Sequence, residues 1–242
     1  MKDMSEAIYL KDCYLKSWEA VVKEVNQGKY VVLGRTAFYP NVGGQPYDTG
    51  VMKGVSDVKE FKVVYVGKFS GEISHEVENP EGAELKPGDG VRCEIDWDRR
   101  YAHMRHHTAC HILSSVINEK TGALITGNQI AADRTRVDFS LGTMDRDLLP
   151  VFEAEANRII GGSHPVEFEF IGRREALKKP HLAMLAKGLP ENEIIRVVKI
   201  GSFNEQACGG THVKNTNEIG KIKIVDFINK GKNNRRIYFV LE

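Results

Sequence analysis

Val91-Arg92-Cys93-Glu94-Ile95-Asp96-Trp97-Asp98 is where the chain changes its period. Up to Ile95, apolar and polar residues alternate as on a strand with one buried face. Beyond it, Asp96 or Asp98 is placed to cap a helix that runs to about Lys120, and Gly122 is placed to end it. That helix carries Met104, Thr108, Ile112 and Ser115 on one stripe, with Ala109, Leu113 and Val116 beside it. Upstream, Ala20-Val21-Val22, Tyr30-Val31-Val32-Leu33 and Phe61-Lys62-Val63-Val64-Tyr65-Val66 are separated by Asn-Gln-Gly, Pro-Asn, Gly-Gly and Asn-Pro turn signals, the pattern of a small closed sheet. Downstream, Gln129-Ile130-Ala131 and Thr135–Ser140 read as a hairpin, followed by a helix from about Asp145 to Ile160 that Gly161-Gly162 ends. A strand at 165–171, a helix from about Arg173 to Lys187 containing Pro180, and strands near 194–200, 221–227 and 236–241 complete the pattern. The expected fold class is α+β: a small β-barrel domain at residues 1–92, then an α+β domain at 93–242.

Composition narrows the function classes. The 242 residues are 41% hydrophobic and 28% charged, and no apolar run approaches the ~18 residues a membrane span needs. The N-terminus lacks the apolar core of a secretory signal, so a cytoplasmic location is expected. Lys plus Arg number 34 against 33 acids, so attraction to a polyanion must rest on local clusters. The four cysteines, at 13, 93, 110 and 208 and without a CxxC pair, form no disulfide framework, which leaves free thiols or metal ligands.

Four of the eight histidines fall within Tyr101-Ala102-His103-Met104-Arg105-His106-His107-Thr108-Ala109-Cys110-His111. His107 and His111 are one helical turn apart, so both imidazoles face one point, and His103 extends the stripe. About a hundred residues on, Cys208-Gly209-Gly210-Thr211-His212 repeats the spacing of four on a Gly-Gly turn, where the missing Cβ atoms let the backbone approach a bound group. His107, His111, Cys208 and His212 form a set that suits one Zn²⁺ per chain better than magnesium or calcium, because no carboxylate cluster accompanies them. Cys110 lies about 100° round the helix from His111 and reads as packing. A zinc protease is disfavoured, since Thr108 stands where its general-base glutamate would follow the first histidine.

These motifs resemble a known family, the AlaX-type alanyl-tRNA editing proteins, which are similar to the editing domain of alanyl-tRNA synthetase. His107-Thr-Ala-Cys-His111 resembles its HxxxH motif and Cys208-Gly-Gly-Thr-His212 its CxxxH motif. Thr36 to Gly50, with Gly43-Gly44-Gln45 inside it, resembles the glycine-rich segment of the longer forms, although Val42 stands where the family commonly has a small residue. Asp98-Arg99-Arg100, Arg136-Val137-Asp138-Phe139 and the tail from Lys221 to Phe239 add to the likeness. The chain ends at Glu242 without a long helical tail, so the intermediate-length form is the nearest resemblance.

The resemblance implies hydrolysis of the ester that joins serine, or as a second substrate glycine, to alanine tRNA. A synthetic site cannot exclude glycine by size and rejects one added hydroxyl weakly, so a second, hydrolytic site is needed. Thr36 is the candidate partner for the serine hydroxyl, unless it is an ordinary strand residue. Gln45 and the amides of Gly43 and Gly44 are candidates to orient water or steady an oxyanion, unless they only make a tight turn. Gly209 and Gly210 are candidates to line the substrate. Lys230, Lys232, Arg235 and Arg236 are candidate tRNA phosphate contacts, unless their loop is merely solvated, with the Arg99-Arg100 and Arg173-Arg174 pairs as weaker candidates. Zinc fits either water activation or positioning of the aminoacyl group. Editing of a threonyl type, or a non-catalytic RNA-binding module with structural zinc, are the alternatives.

Overall fold

Six strands close into a barrel in the computed structural model, which describes residues 5–56, 59–80, 83–143, 145–183 and 188–242. They are β1 (Ser17–Asn26), β2 (Tyr30–Leu33), β3 (Gly50–Gly54), β4 (Glu60–Phe69), β5 (Glu72–Glu78) and β6 (Gly90–Ile95), in the closed order β1-β2-β5-β4-β3-β6. Alternation drives the closure: β6 buries every second residue, Val91, Cys93 and Ile95, and β5 does the same with Ile73, His75 and Val77. The inward side chains meet as one core with Val22, Leu33, Phe38, Met52, Phe61 and Val66. Each such side chain fully buried contributes ~1.5–3 kcal/mol.

This barrel belongs to the unit Met1–Tyr101. The expected division at residues 92 and 93 falls inside β6, the strand that pairs with both β1 and β3 to close the barrel. Between β2 and β3 the chain runs through the two-residue strand Arg35–Thr36 and a loop that buries Phe38, Tyr39 and Asp48 and exposes Gly43 and Gly44, held by an ion pair that no sequence pattern announces. Arg100, fully buried, points its guanidinium at Asp48, also fully buried, with Nε 3.0 Å from each carboxylate oxygen, and its Nη1 donates to Cys13 O at 3.0 Å. Asp48 also accepts from Tyr39 N at 2.6 Å, closing the loop back on itself. Arg100 is therefore a structural cation and is withdrawn as an RNA contact; Arg99, beside it, lies over the Tyr47 ring at 5.3 Å. Gly43 and Gly44 both have positive φ, at 63° and 81°, and form a tight turn closed by Gln45 N donating to Val42 O at 3.1 Å.

A second buried polar pair lies inside the barrel. His75 Nδ1 sits 2.8 Å from Val31 O, so Nδ1 carries the proton, and Thr36 Oγ1 donates to Nε2 at 2.9 Å. The Thr36 hydroxyl also accepts from Phe38 N at 3.1 Å.

The helix α1 (Trp97–Thr121) starts where Asp96 caps it, its Oδ1 accepting from Arg99 N at 3.2 Å, and stops at Gly122, whose φ is 71°. The unit Ala102–Glu242 is α+β. Strands β7 (Ile125–Gln129), β8 (Thr135–Phe139), β9 (Val166–Gly172), β10 (Ile194–Ile200), β11 (Asn204–Ala207), β12 (Ile222–Asn229) and β13 (Arg235–Leu241) form two antiparallel sheets, ordered β12-β13-β8-β7 and β9-β10-β11, with helix α2 (Leu149–Gly161) between β8 and β9 in the chain. α1 touches the first through His106, stacked on Phe239 and 3.0 Å from Thr135 Oγ1. It touches the second through Ser115, which accepts from Asn204 and Gln206. The expected stripe of α1 is buried, and so is nearly everything else between His103 and Ile117, because the helix has a sheet on each side. The helix expected from Arg173 to Lys187 is not continuous: it ends at Ala176 and a single 3-10 turn follows at Pro180–Leu182. Proline lacks the N–H the helix needs. Its expected end at Lys187 lies outside the described residues. Among the described residues no helix is long and apolar enough to cross a membrane.

Asp48→Asn leaves the Arg100 guanidinium buried without its counter-charge and should cost about 3–5 kcal/mol in urea melts; a loss under 1 kcal/mol would show the pair to be dispensable. Burial lowers the His75 pKa to about 4, against the hydrogen bond to Val31 that raises it. A depressed folded-state value means the unfolded chain binds the proton first, so stability is full above pH ~6.5 and falls as pH drops towards 4, by about 3 kcal/mol from this group. His75→Gln should flatten that part of the profile in melts between pH 7 and 4.5.

Candidate metal centre

α1 supplies two ligands because its turn repeats every 3.6 residues, and the segment after β11 supplies two more because the chain folds back at Gly209-Gly210. The donor atoms of His107, His111, Cys208 and His212 all lie within 4.8 Å of one another. Cys208 Sγ is 3.5 Å from His107 Nε2 and 3.4 Å from His212 Nε2. Tetrahedral zinc with Zn–N near 2.0–2.1 Å and Zn–S near 2.3 Å sets neighbouring donors about 3.3–3.7 Å apart, so the residues fit the ion. The three rings pack with centroids 5.1, 4.5 and 4.6 Å apart, too crowded for three imidazolium charges.

Burial keeps these rings neutral. It depresses the pKa of His111 to about 3, with the Arg196 guanidinium as a second cause. His107 and His212 are held well below the ordinary histidine value, first by burial, then by the neighbouring histidines and Arg196. Neutral imidazole is the form that binds a metal. His111 Nδ1 is buried with no hydrogen-bond partner among the described residues, an arrangement that disfavours the site unless something else compensates.

Thr108 fixes the orientation of one ligand. Its hydroxyl donates to Met104 O at 2.9 Å, so it accepts from His212 Nδ1 at 3.1 Å and from Val213 N at 3.3 Å. His212 is thereby protonated on Nδ1, and Nε2 is left facing Cys208. Arg196, on β10, does the same for the turn: its Nη1 donates to Cys208 O at 3.0 Å and Gly210 O at 2.8 Å, while Gly210 N donates to Cys208 Sγ at 3.3 Å. Neither Gly209 nor Gly210 has a positive φ. Gly209 is exposed and Gly210 buried. His103 and Cys110 are buried beside the ligand set but outside it, and burial pushes the Cys110 thiol up to about 12.

Of the other candidates, Thr36 and Gln45 are fully buried in the unit that ends at Tyr101. Lys230 and Lys232 are exposed at the β12–β13 turn. Arg235 is buried, donating to Asn229 Oδ1 and to the carbonyls of Gly231, Asn234 and Gly142. Arg236 forms a two-pronged pair with Asp138, at 2.6 and 2.8 Å. Arg173 donates to Pro190 O. Sequence reasoning missed the roles of Thr108, read only as a helix-stripe residue that is not the protease glutamate, and of Arg196. No pattern marks Arg196, because its role depends on strand register.

The family described as tRNA synthetases class II (A) matches residues 6–99, and that described as Threonyl and Alanyl tRNA synthetase second additional domain matches residues 195–238, which include Cys208 and His212. The alanyl-tRNA editing protein AlaX-M of Methanosarcina acetivorans is 53% identical over 98% of this chain and 99% of its own length. That of Saccharolobus solfataricus is 40% identical over 99% of this chain and all of its own, 100%. The alanine–tRNA ligase of Pyrococcus abyssi is 40% identical over 93% of this chain, which corresponds to 25% of the ligase. With the His/His/Cys/His centre read from the residues upward and this similarity along nearly the full length, the chain belongs to the AlaX-M family of alanyl-tRNA editing proteins.

Proposed function

We propose that this protein is an aminoacyl-tRNA hydrolase that removes serine, and as a second substrate glycine, from alanine tRNA, with one Zn²⁺ held by His107, His111, Cys208 and His212. The observation that carries the reading is the donor set itself: three buried imidazoles and a thiol whose donor atoms all lie within 4.8 Å of one another, with one imidazole fixed in tautomer by Thr108. When bound, zinc would hold the histidine rings and the Cys208-Gly209-Gly210 turn in the arrangement that orients the aminoacyl group. Four protein ligands close a tetrahedral shell, which favours that role over generation of hydroxide. The AlaX-M relatives support alanine tRNA over threonine tRNA as the substrate.

The roles of the remaining residues belong to the same proposal. Arg196 and Gly210 N hold the Cys208-Gly209-Gly210 turn in place, and exposed Gly209 lines the substrate. Thr36 accepts a hydrogen bond from the serine hydroxyl: its own proton is committed to His75 and one lone pair to Phe38 N, which leaves an acceptor for a donor that alanine lacks. Gln45 and the amides of Gly43 and Gly44 steady the developing oxyanion. Lys230 and Lys232 contact tRNA phosphates, while Arg235 and Arg236 shape the loop that carries them. The division of labour is a barrel domain with the Gly-Gly-Gln turn and a zinc-binding editing domain. The protein works in the cytoplasm, where its substrate is made.

The test is loss of the ester from alanine tRNA charged with serine and, separately, with alanine. Serine should be released faster by on the order of 10²-fold or more, and Cys208→Ala should abolish its release. Release of neither ester by zinc-loaded protein would leave the structural-zinc, RNA-binding alternative. Thr108→Val removes the partner of His212 Nδ1 without changing shape, and should weaken zinc binding by roughly 10–100-fold in a competition titration against a chromogenic chelator. Unchanged affinity would show that the tautomer is set elsewhere.

A further inference from the structure

Strand register places an aromatic surface beside the metal centre. Phe170 pairs with Arg196, Phe168 with Val198, and Val198 with Gln206. Cys208 N donates to Arg196 O at 3.0 Å, which extends the ladder by one residue and puts Phe170, Arg196 and Cys208 in a single row across the β9-β10-β11 sheet. Directly opposed residues share a face, as do residues two apart on one strand, so Phe168, Phe170, Arg196 and Cys208 all lie on one face. The opposite face carries the core of Ile171, Ile195 and Val197. The row ends in solvent: Phe168 is 39% exposed, Phe170 45% and Ile194, beyond them, 58%. The two rings meet edge to face with centroids 6.0 Å apart, and the Arg196 guanidinium lies 4.5 Å from the Phe168 ring centroid while its Nη1 holds the Cys208 carbonyl. Scattered exposed apolar residues need no explanation, but a contiguous aromatic pair bordered by an arginine, at the edge of a reaction centre, has the make-up of a binding surface.

We propose that Phe168 and Phe170 form a stacking platform for the terminal nucleobase of the tRNA acceptor end. The inference rests on the reading that an aminoacyl ester is held at the metal centre. Two strand spacings separate Phe170 from Cys208, about 10 Å. That is about one nucleoside's length, the separation between an ester on the terminal ribose and the far side of that ribose's own base. Single-stranded ends are recognised through unstacked bases laid on aromatic rings, with arginine beside them, because every base offers a π face. The platform therefore accepts any base at that position and orients the ester rather than reading sequence.

A short single-stranded RNA ending in 2-aminopurine tests this without any hydrolysis. Wild-type protein should quench the probe on binding. Phe168→Ala/Phe170→Ala should lose the quenching and bind about tenfold more weakly or worse, with wild-type melting temperature and zinc content. Phe170→Trp, which keeps a ring, should restore binding. An RNA whose last position is abasic should bind wild type and double variant equally weakly. Equal quenching and affinity for the 2-aminopurine RNA in wild type and double variant would overturn the platform, as would an equal deficit of the variant on abasic RNA. A wild-type dimer that the double variant converts to monomer at unchanged RNA affinity would overturn it too, and make the face an interface between copies. Because the readout is binding, quenching by a protein that releases neither ester would leave the platform standing while the hydrolytic reading fails.

Discussion

Three imidazoles can sit with ring centroids about 5 Å apart in a buried site only if none of them is charged, and the metal-binding half of the molecule is organised around that constraint. α1 contributes two rings from its own repeat, the turn after β11 contributes the third with a thiol, and burial between two sheets keeps all three rings neutral. Such a cluster of buried donors disfavours the fold unless an ion draws the donors together. The surrounding bonds are the other side of that arrangement. Thr108 lies on the same helix as His107 yet orients His212, and Arg196 clamps the two carbonyls that flank Gly209.

The barrel half depends on a different buried charge. Arg100 and Asp48 neutralise each other where water is excluded, and the remaining donors of the guanidinium reach the carbonyls of Cys13 and Ala37. An isolated charge there would be severely destabilising, so the loop between β2 and β3 is committed to one path. The Gly43-Gly44 turn is presented on that path, and the Thr36 hydroxyl is oriented by His75 a few residues before it. A polar framework inside an apolar barrel thus gives an otherwise irregular loop a fixed shape.

Much of this was legible in the residues. Alternation in Gly90–Ile95 and apolar runs such as Tyr30–Leu33 between turn signals announced a closed sheet, Asp96 and Gly122 marked the ends of α1, and the two spacings of four named the ligand set. What could not be read depends on partners distant in sequence. Nothing local shows that β6 pairs on both sides, that Arg100 faces inward, or that Arg235 turns back onto its own hairpin carbonyls. Arg196 looks like any charged residue on an alternating strand until register places it between an aromatic pair and the cysteine turn. Pro180 is visible in the sequence, and its missing N–H breaks the helical pattern around it into a short helix at Arg173–Ala176 and a 3-10 turn at Pro180–Leu182.

The central claim is that four protein donors form one tetrahedral site. Titrating metal-free protein with cobalt(II) tests it directly, because tetrahedral and octahedral cobalt differ strongly in visible absorption and a thiolate ligand adds a charge-transfer band in the near ultraviolet. The account predicts one equivalent bound, intense tetrahedral bands, and a charge-transfer band that disappears in Cys208→Ser. Weak octahedral absorption without that band, or no saturation at one equivalent, would contradict it.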